Sequence, residues 1–130
     1  MLLLDVSGSV RPAIHRIRDG ALEALGRLKP EDEVAVMAFA SSAELVQDFT
    51  RNRDLIAKTI KMATAAETLG RATNFAPALD EAALKMFDTP QANRCVIIIV
   101  TDNLVLSWPI QEKDFRKPVR QGHHCLWVAG

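Results

Sequence analysis

An open α/β fold, with a mostly parallel sheet and helices on both of its faces, is what this sequence predicts, on three observations. Strand-like runs alternate with helix-length amphipathic segments along the chain. The turn Ser41-Ser42-Ala43 is too short for a crossover, so one strand must return antiparallel as a hairpin. At 130 residues the chain fits a single domain spanning 1–130, long enough for one core.

Leu2-Leu3-Leu4 reads as a short buried strand. After a Ser/Gly turn, a helix is expected from about Arg11 to Leu28. Pro12 lies in its first turn, and Ile14, Ile17, Ala21, Leu22, Leu25 and Leu28 fall at helical spacing. Glu33 to Ala40 is the second strand, and Glu44 to Phe49 returns beside it. Asn52 is a suitable N-cap for a helix from Arg53 to about Ala63, with Leu55, Ile56 and Ile60 facing inward. A loop, 64–74, leads to a helix from Phe75 to Phe87, whose core face is Leu79, Ala83, Met86 and Phe87. Thr64 and Thr68 in that loop are expected to be solvated. Val96 to Val100 is the central strand, and His124 to Val128 is the last.

The composition excludes several function classes. Sixteen basic residues balance sixteen acidic ones, so no overall field favours nucleic acid or an anionic membrane. The longest apolar run, Cys95 to Val100, has strand length and cannot span a bilayer. The opening Met1-Leu2-Leu3-Leu4-Asp5 has no basic region and reads as a strand already under way, so the chain is expected to be part of a longer protein. Its compartment is left open, an extracellular or periplasmic parent being compatible. Cys95 and Cys125 are too few for a zinc site and are expected as buried thiols, with a bridge between them left open.

Following strand and helix directions brings three distant segments to one end of the sheet, at the carboxyl ends of the strands, where open α/β folds place their ligands. Asp5-Val6-Ser7-Gly8-Ser9 alternates one carboxylate and two hydroxyls along a loop in which Gly8 permits a tight turn. Thr73 immediately precedes a helix, and Asp102 closes the Val96 strand. Two carboxylates and three hydroxyls form an all-oxygen set. Such a set suits a hard cation, Mg²⁺ or Mn²⁺, with waters completing the shell. Read alone, Asp5, Ser7 and Ser9 serve equally well as caps for the following helix, and Asp102-Asn103 as turn residues.

Asp5-Val6-Ser7-Gly8-Ser9 matches the D-x-S-x-S motif of von Willebrand factor type A domains, Thr73-Asn74-Phe75-Ala76-Pro77-Ala78-Leu79 resembles their T-N-x-x-x-A-L segment, and Ile97-Ile98-Ile99-Val100-Thr101-Asp102 resembles their fourth strand. The resemblance covers essentially the whole chain. It implies a three-layer, Rossmann-like sheet of order 3-2-1-4-5 with strand three antiparallel. It also implies a metal-ion-dependent adhesion site in which Ser7 and Ser9 bind the cation directly, Thr73 binds directly or through water, and Asp5 and Asp102 act largely through water. One coordination position then stays open for an acidic side chain of a protein partner, with Asn103, Asn74 and Trp108 as expected partner contacts.

The sequence departs from the family's pattern in three places. Asn103 stands where glycine usually follows the strand-four Asp. Gly70-Arg71-Ala72 replaces a glycine pair before the Thr. The sequence stops at Gly130, before the sixth strand and final helix that the resemblance implies, so strand five is expected to offer an edge for self-association.

Other readings fit less well. A Mg²⁺-dependent phosphotransferase of the haloacid-dehalogenase type needs a second acid where Ser7 stands. A serine hydrolase needs a G-x-S-x-G elbow, whereas the sequence here is Val6-Ser7-Gly8-Ser9-Val10. His123 and His124 fall at the opposite end of the sheet, His15 on the first helix beside its core stripe as a boundary residue, and Arg116, Lys117 and Arg120 on a solvated face. A metal-free interaction or structural domain is the remaining alternative, and no enzymatic activity is expected.

Overall fold

Leu2–Asp5 forms β1, four consecutive buried residues at the centre of the sheet. In this computed structural model, which describes residues 1–66, 70, 72–87, 96–101 and 126–129 (Phe87 and 126–129 by backbone alone), the other strands are β2 (Val34–Phe39), β3 (Ala43–Thr50), β4 (Val96–Val100) and β5 (Leu126–Ala129). They form one sheet in the order β3-β2-β1-β4-β5. β1 runs parallel to β2 and β4, with Leu4 opposite Ala38 on one side and Val100 on the other. β3 is antiparallel to β2, and β5 is parallel to β4. The predicted fold class, sheet order and single antiparallel strand are all observed.

β1 is apolar at consecutive positions because both faces of the sheet are covered. Leu2 and Leu4, with Val36, Ala38 and Val100, pack on one face against Ile17, Ala21 and Leu25 of α1 (Ile14–Arg27) and Ile56 and Ile60 of α2 (Arg53–Ala65). Leu3, Met37, Phe39, Ile97 and Ile99 pack on the other face against Ala78, Leu79, Ala82 and Met86 of α3 (Phe75–Phe87). Helices thus lie on both sides, giving three layers.

Several boundaries differ from expectation for physical reasons. The helix expected from Arg11 begins instead as a 3-10 turn, Gly8–Ala13, and becomes α-helical only at Ile14. Pro12 has no N–H with which to extend α-type pairing back to Gly8, and the tighter turn places Val10 in the core. Thr64, expected in solvent, instead extends α2's buried stripe four residues beyond Ile60, and its Oγ1 donates to the Ile60 carbonyl at 2.8 Å. Leu55, expected inward, is 38 % exposed because Ile56, one position on, takes the inward direction. In α3 Ala83 is only half-buried, Ala78 and Ala82 taking its expected place in the core, and His15 is exposed on α1. The last strand is described over Leu126–Ala129, one residue beyond its expected end at Val128. Cys95, Cys125, Thr68, His123, His124, the 116–120 basic cluster and Gly130 lie outside the described residues. Among those described, no helix is long and apolar enough to cross a membrane.

Asn52 caps α2 as predicted, its Oδ1 accepting the Leu55 N–H at 3.0 Å. Asn52→Ala is expected to cost about 1 kcal/mol of stability in urea denaturation. An unchanged midpoint and slope would show that the cap is energetically idle. On the opposite face, Lys85 of α3 pairs with Asp48 of β3 at 3.1 Å. The Phe49 N–H, first, and then this ammonium hold the Asp48 carboxyl below its ordinary pKa.

Candidate metal centre

Asp5 ends β1 and is 1 % exposed, so its carboxylate is almost wholly removed from water. Oδ1 accepts the Ser7 N–H at 3.0 Å, closing an Asx-type turn that bends the chain off the strand. Oδ2 accepts the Thr101 hydroxyl at 2.7 Å. Thr101 follows β4, and the Leu4–Val100 pairing brings it level with Asp5. None of the ion pairs among the described residues includes Asp5.

The turn aims the next two hydroxyls together. Ser7 is fully buried and extended (φ −65°, ψ 165°), and its Oγ lies 2.9 Å from that of Ser9. Thr73, from a loop 66 residues along the chain, donates its Oγ1 proton to Ser7 Oγ at 2.9 Å. Ser7 stands at the N-cap position of the 3-10 turn, yet its side chain makes no capping bond, and α1 starts uncapped from Ala13. The capping alternative therefore does not account for these hydroxyls, which turn toward one another instead. Ser9 is exposed and Thr73 half-buried, so the cluster opens to solvent on their side.

The structure thus brings Asp5, Ser7, Ser9 and Thr73 into one hydrogen-bonded group. Asp102, Asn103 and Trp108 lie outside the described residues. Asn74 is exposed, but its side-chain Nδ2 donates to the Ser41 carbonyl at 2.8 Å. Thr101 and Ser41 were not among the expected site residues. Adjacency to Asp102 was the available signal for Thr101. Nothing local marked Ser41, whose place depends on the hairpin meeting a distant loop.

The chemistry of the group fits a hard cation. Among the described residues no three His, Cys, Asp or Glu side chains cluster, so the donors here are hydroxyls around one carboxylate. Neighbouring oxygens in an octahedral Mg²⁺ shell lie about 2.9 Å apart. Ser7 Oγ is already 2.9 Å from both Ser9 Oγ and Thr73 Oγ1. Such a spacing serves a hydrogen bond and a shared small cation equally.

Residues 1–104 match the von Willebrand factor type A domain family. No curated protein matches the sequence. Among solved structures, proximal thread matrix protein 1 from the mussel byssus, with a zinc-occupied MIDAS motif, is 14 % identical, covering 98 % of this chain and 36 % of its own (TM-score 0.70). The vWF domain of the type V pili tip protein Mfa5 from Porphyromonas gingivalis is 14 % identical over 78 % of this chain and 36 % of its own (TM-score 0.60). An aerotolerance-related membrane protein from Bacteroides fragilis is 18 % identical over 77 % of this chain and 51 % of its own (TM-score 0.65). The chain spans about half the length of the Bacteroides protein and just over a third of the other two. At these identities the likeness is one of fold.

Proposed function

This chain belongs to the von Willebrand factor type A domain family, and from that premise we propose that it is a protein-interaction module that grips an acidic side chain of its partner through a divalent cation. The observation that carries this reading is the buried Asp5 carboxylate, in no ion pair among the described residues and beside the Ser7 hydroxyl, which is hydrogen-bonded to those of Ser9 and Thr73. A buried carboxylate is costly unless it is both hydrogen-bonded and electrically compensated. A small cation at the hydroxyl cluster supplies that compensation.

In this reading Ser7 and Ser9 hold Mg²⁺ or Mn²⁺ directly, and Thr73 holds it directly or through water. Asp5 and Asp102 act from behind through ordered water, and the partner's carboxylate enters on the open side by Ser9. When bound, the cation supplies a Lewis-acidic site; few direct protein charges leave it able to attract the partner's carboxylate. Thr101 fixes the Asp5 carboxylate, and the Asx turn fixes Ser7. A protein partner is accordingly favoured over nucleic acid or membrane, and binding over catalysis. Asn103, Asn74 and Trp108 remain the proposed partner contacts. The relative with a zinc-occupied motif supports a divalent ion in this fold.

The hydroxyls satisfy one another, which favours a second reading: an interaction module that works without metal. Calorimetric titration with Mg²⁺ and with Mn²⁺, each repeated in the presence of acetate, separates the two. The expected result is weak binding of the ion alone, tightened by the carboxylate, and abolished in Ser7→Ala without loss of the metal-free fold. At a hundred times its dissociation constant the ion should stabilise the wild-type protein by about 2.7 kcal/mol. Absence of heat and of stabilisation in the wild-type protein would establish the metal-free reading.

A further inference from the structure

We infer that Ser41, at the tip of the β2–β3 hairpin, is a positioning residue for the candidate cation site, acting through Thr73. The inference rests on the cation reading above and extends it to residues that touch none of the proposed ligands' oxygens. Thr73 lies between α2 and α3, and three hydrogen bonds anchor its two neighbours to the hairpin. Ser41 Oγ accepts the Ala72 N–H at 3.2 Å, the Ser41 carbonyl accepts Asn74 Nδ2 at 2.8 Å, and the Ala40 carbonyl accepts the Asn74 N–H at 2.7 Å.

Residues 72 and 74 are thus both fastened to the hairpin. Thr73, between them, reaches the other way to Ser7 Oγ at 2.9 Å. Gly70 completes the joint. Its φ is +125°, a conformation that favours glycine, and a Cβ there would come within 2.2 Å of Ser41 Oγ and 2.6 Å of Ser41 Cβ. The segment passes close enough to Ser41 for these bonds only because residue 70 has no side chain. The hairpin is in turn tied to the site's own loop, since the Val6 N–H donates to the Phe39 carbonyl at 2.9 Å. The hairpin tip therefore fixes the relative placement of Ser7 and Thr73, the two hydroxyls drawn from distant parts of the chain.

The test is a double-mutant cycle in Mg²⁺ and Mn²⁺ affinity, read by calorimetry on wild type, Ser41→Ala, Thr73→Val and the double variant. Ser41→Ala should weaken binding about 3- to 10-fold, the effect of one lost hydrogen bond. It should have no further effect once Thr73 is Val. A second readout needs no metal. Amide hydrogen exchange at Ala72 and Asn74 should accelerate in Ser41→Ala while exchange in β1 and β4 stays unchanged. Gly70→Ala should reproduce both effects more strongly.

An equal loss from Ser41→Ala in the Thr73→Val background would show general loosening and overturn the inference. So would unchanged affinity or unchanged exchange in Ser41→Ala alone. If the wild-type protein binds neither ion, the cation reading falls and this inference with it. If wild type binds and Thr73→Val weakens binding while Ser41→Ala does not, the positioning role alone falls.

Discussion

Asp5→Asn is expected to lower Mg²⁺ affinity by about 10- to 100-fold, the effect of losing a group that orients and charges a metal shell from behind. The metal-free protein should remain at least as stable as wild type. The asymmetry follows from the surroundings of Asp5. The side chain is 1 % exposed and takes one hydrogen bond from the Ser7 N–H and one from the Thr101 hydroxyl. Asparagine has the same shape, keeps an acceptor for Ser7, and offers Thr101 a donor that a hydroxyl can accept. Only the buried charge disappears, and with it a folding cost. Calorimetry and urea denaturation on the same sample read the two effects separately. A variant that binds Mg²⁺ as wild type does would remove Asp5 from the site, and one that loses binding only because it unfolds would show a purely structural role.

Phe39→Ala should be the most destabilising single core truncation, costing about 3–5 kcal/mol. Phe39 is fully buried at the end of β2, on the face covered by α3, and its ring meets Phe75 edge-on at 6.1 Å and 70°. Such a pair adds roughly 0.5–1.5 kcal/mol beyond the area it buries. Its consequences reach the candidate site, because Phe75 opens α3 two residues after Thr73, and Asn74 between them is bonded to Ala40. Weakened cation binding should therefore accompany the lost stability. Urea denaturation showing a loss below about 1 kcal/mol would mean that α3 is held by other contacts.

The fold was legible because its signals are local and mutually consistent. Leu2-Leu3-Leu4 and Ile97-Ile98-Ile99 could be covered only on two faces, and Ser41-Ser42-Ala43 allowed only a hairpin. Asn52 announced its helix, and so did the break before Phe75. Boundaries failed where a local preference competed with packing. Thr64 has a polar side chain, yet a helix gives it a backbone carbonyl to bond, so it could be buried. Pro12 suits the first turn of an α-helix but sits here in a 3-10 turn that buries Val10.

The alternation of Asp5, Ser7 and Ser9 was readable as a converging set, although the extended loop expected there gives way at Gly8 to a 3-10 turn that carries Ser9. Thr73 could be added because helix and strand directions placed its loop at the same end. Thr101 and Ser41 were not legible as supports. Their roles depend on the register of β1 against β4 and on the closeness of Gly70 to the hairpin, neither of which leaves a pattern in the sequence.

A crystal of the protein soaked in Mn²⁺ and measured at the manganese absorption edge tests the central claim most directly. The expected result is one anomalous peak touching the Oγ atoms of Ser7 and Ser9, about 2.1–2.2 Å from each, with Thr73 beside it directly or through one water. A manganese peak elsewhere, or none while those hydroxyls keep bonding one another, would contradict it.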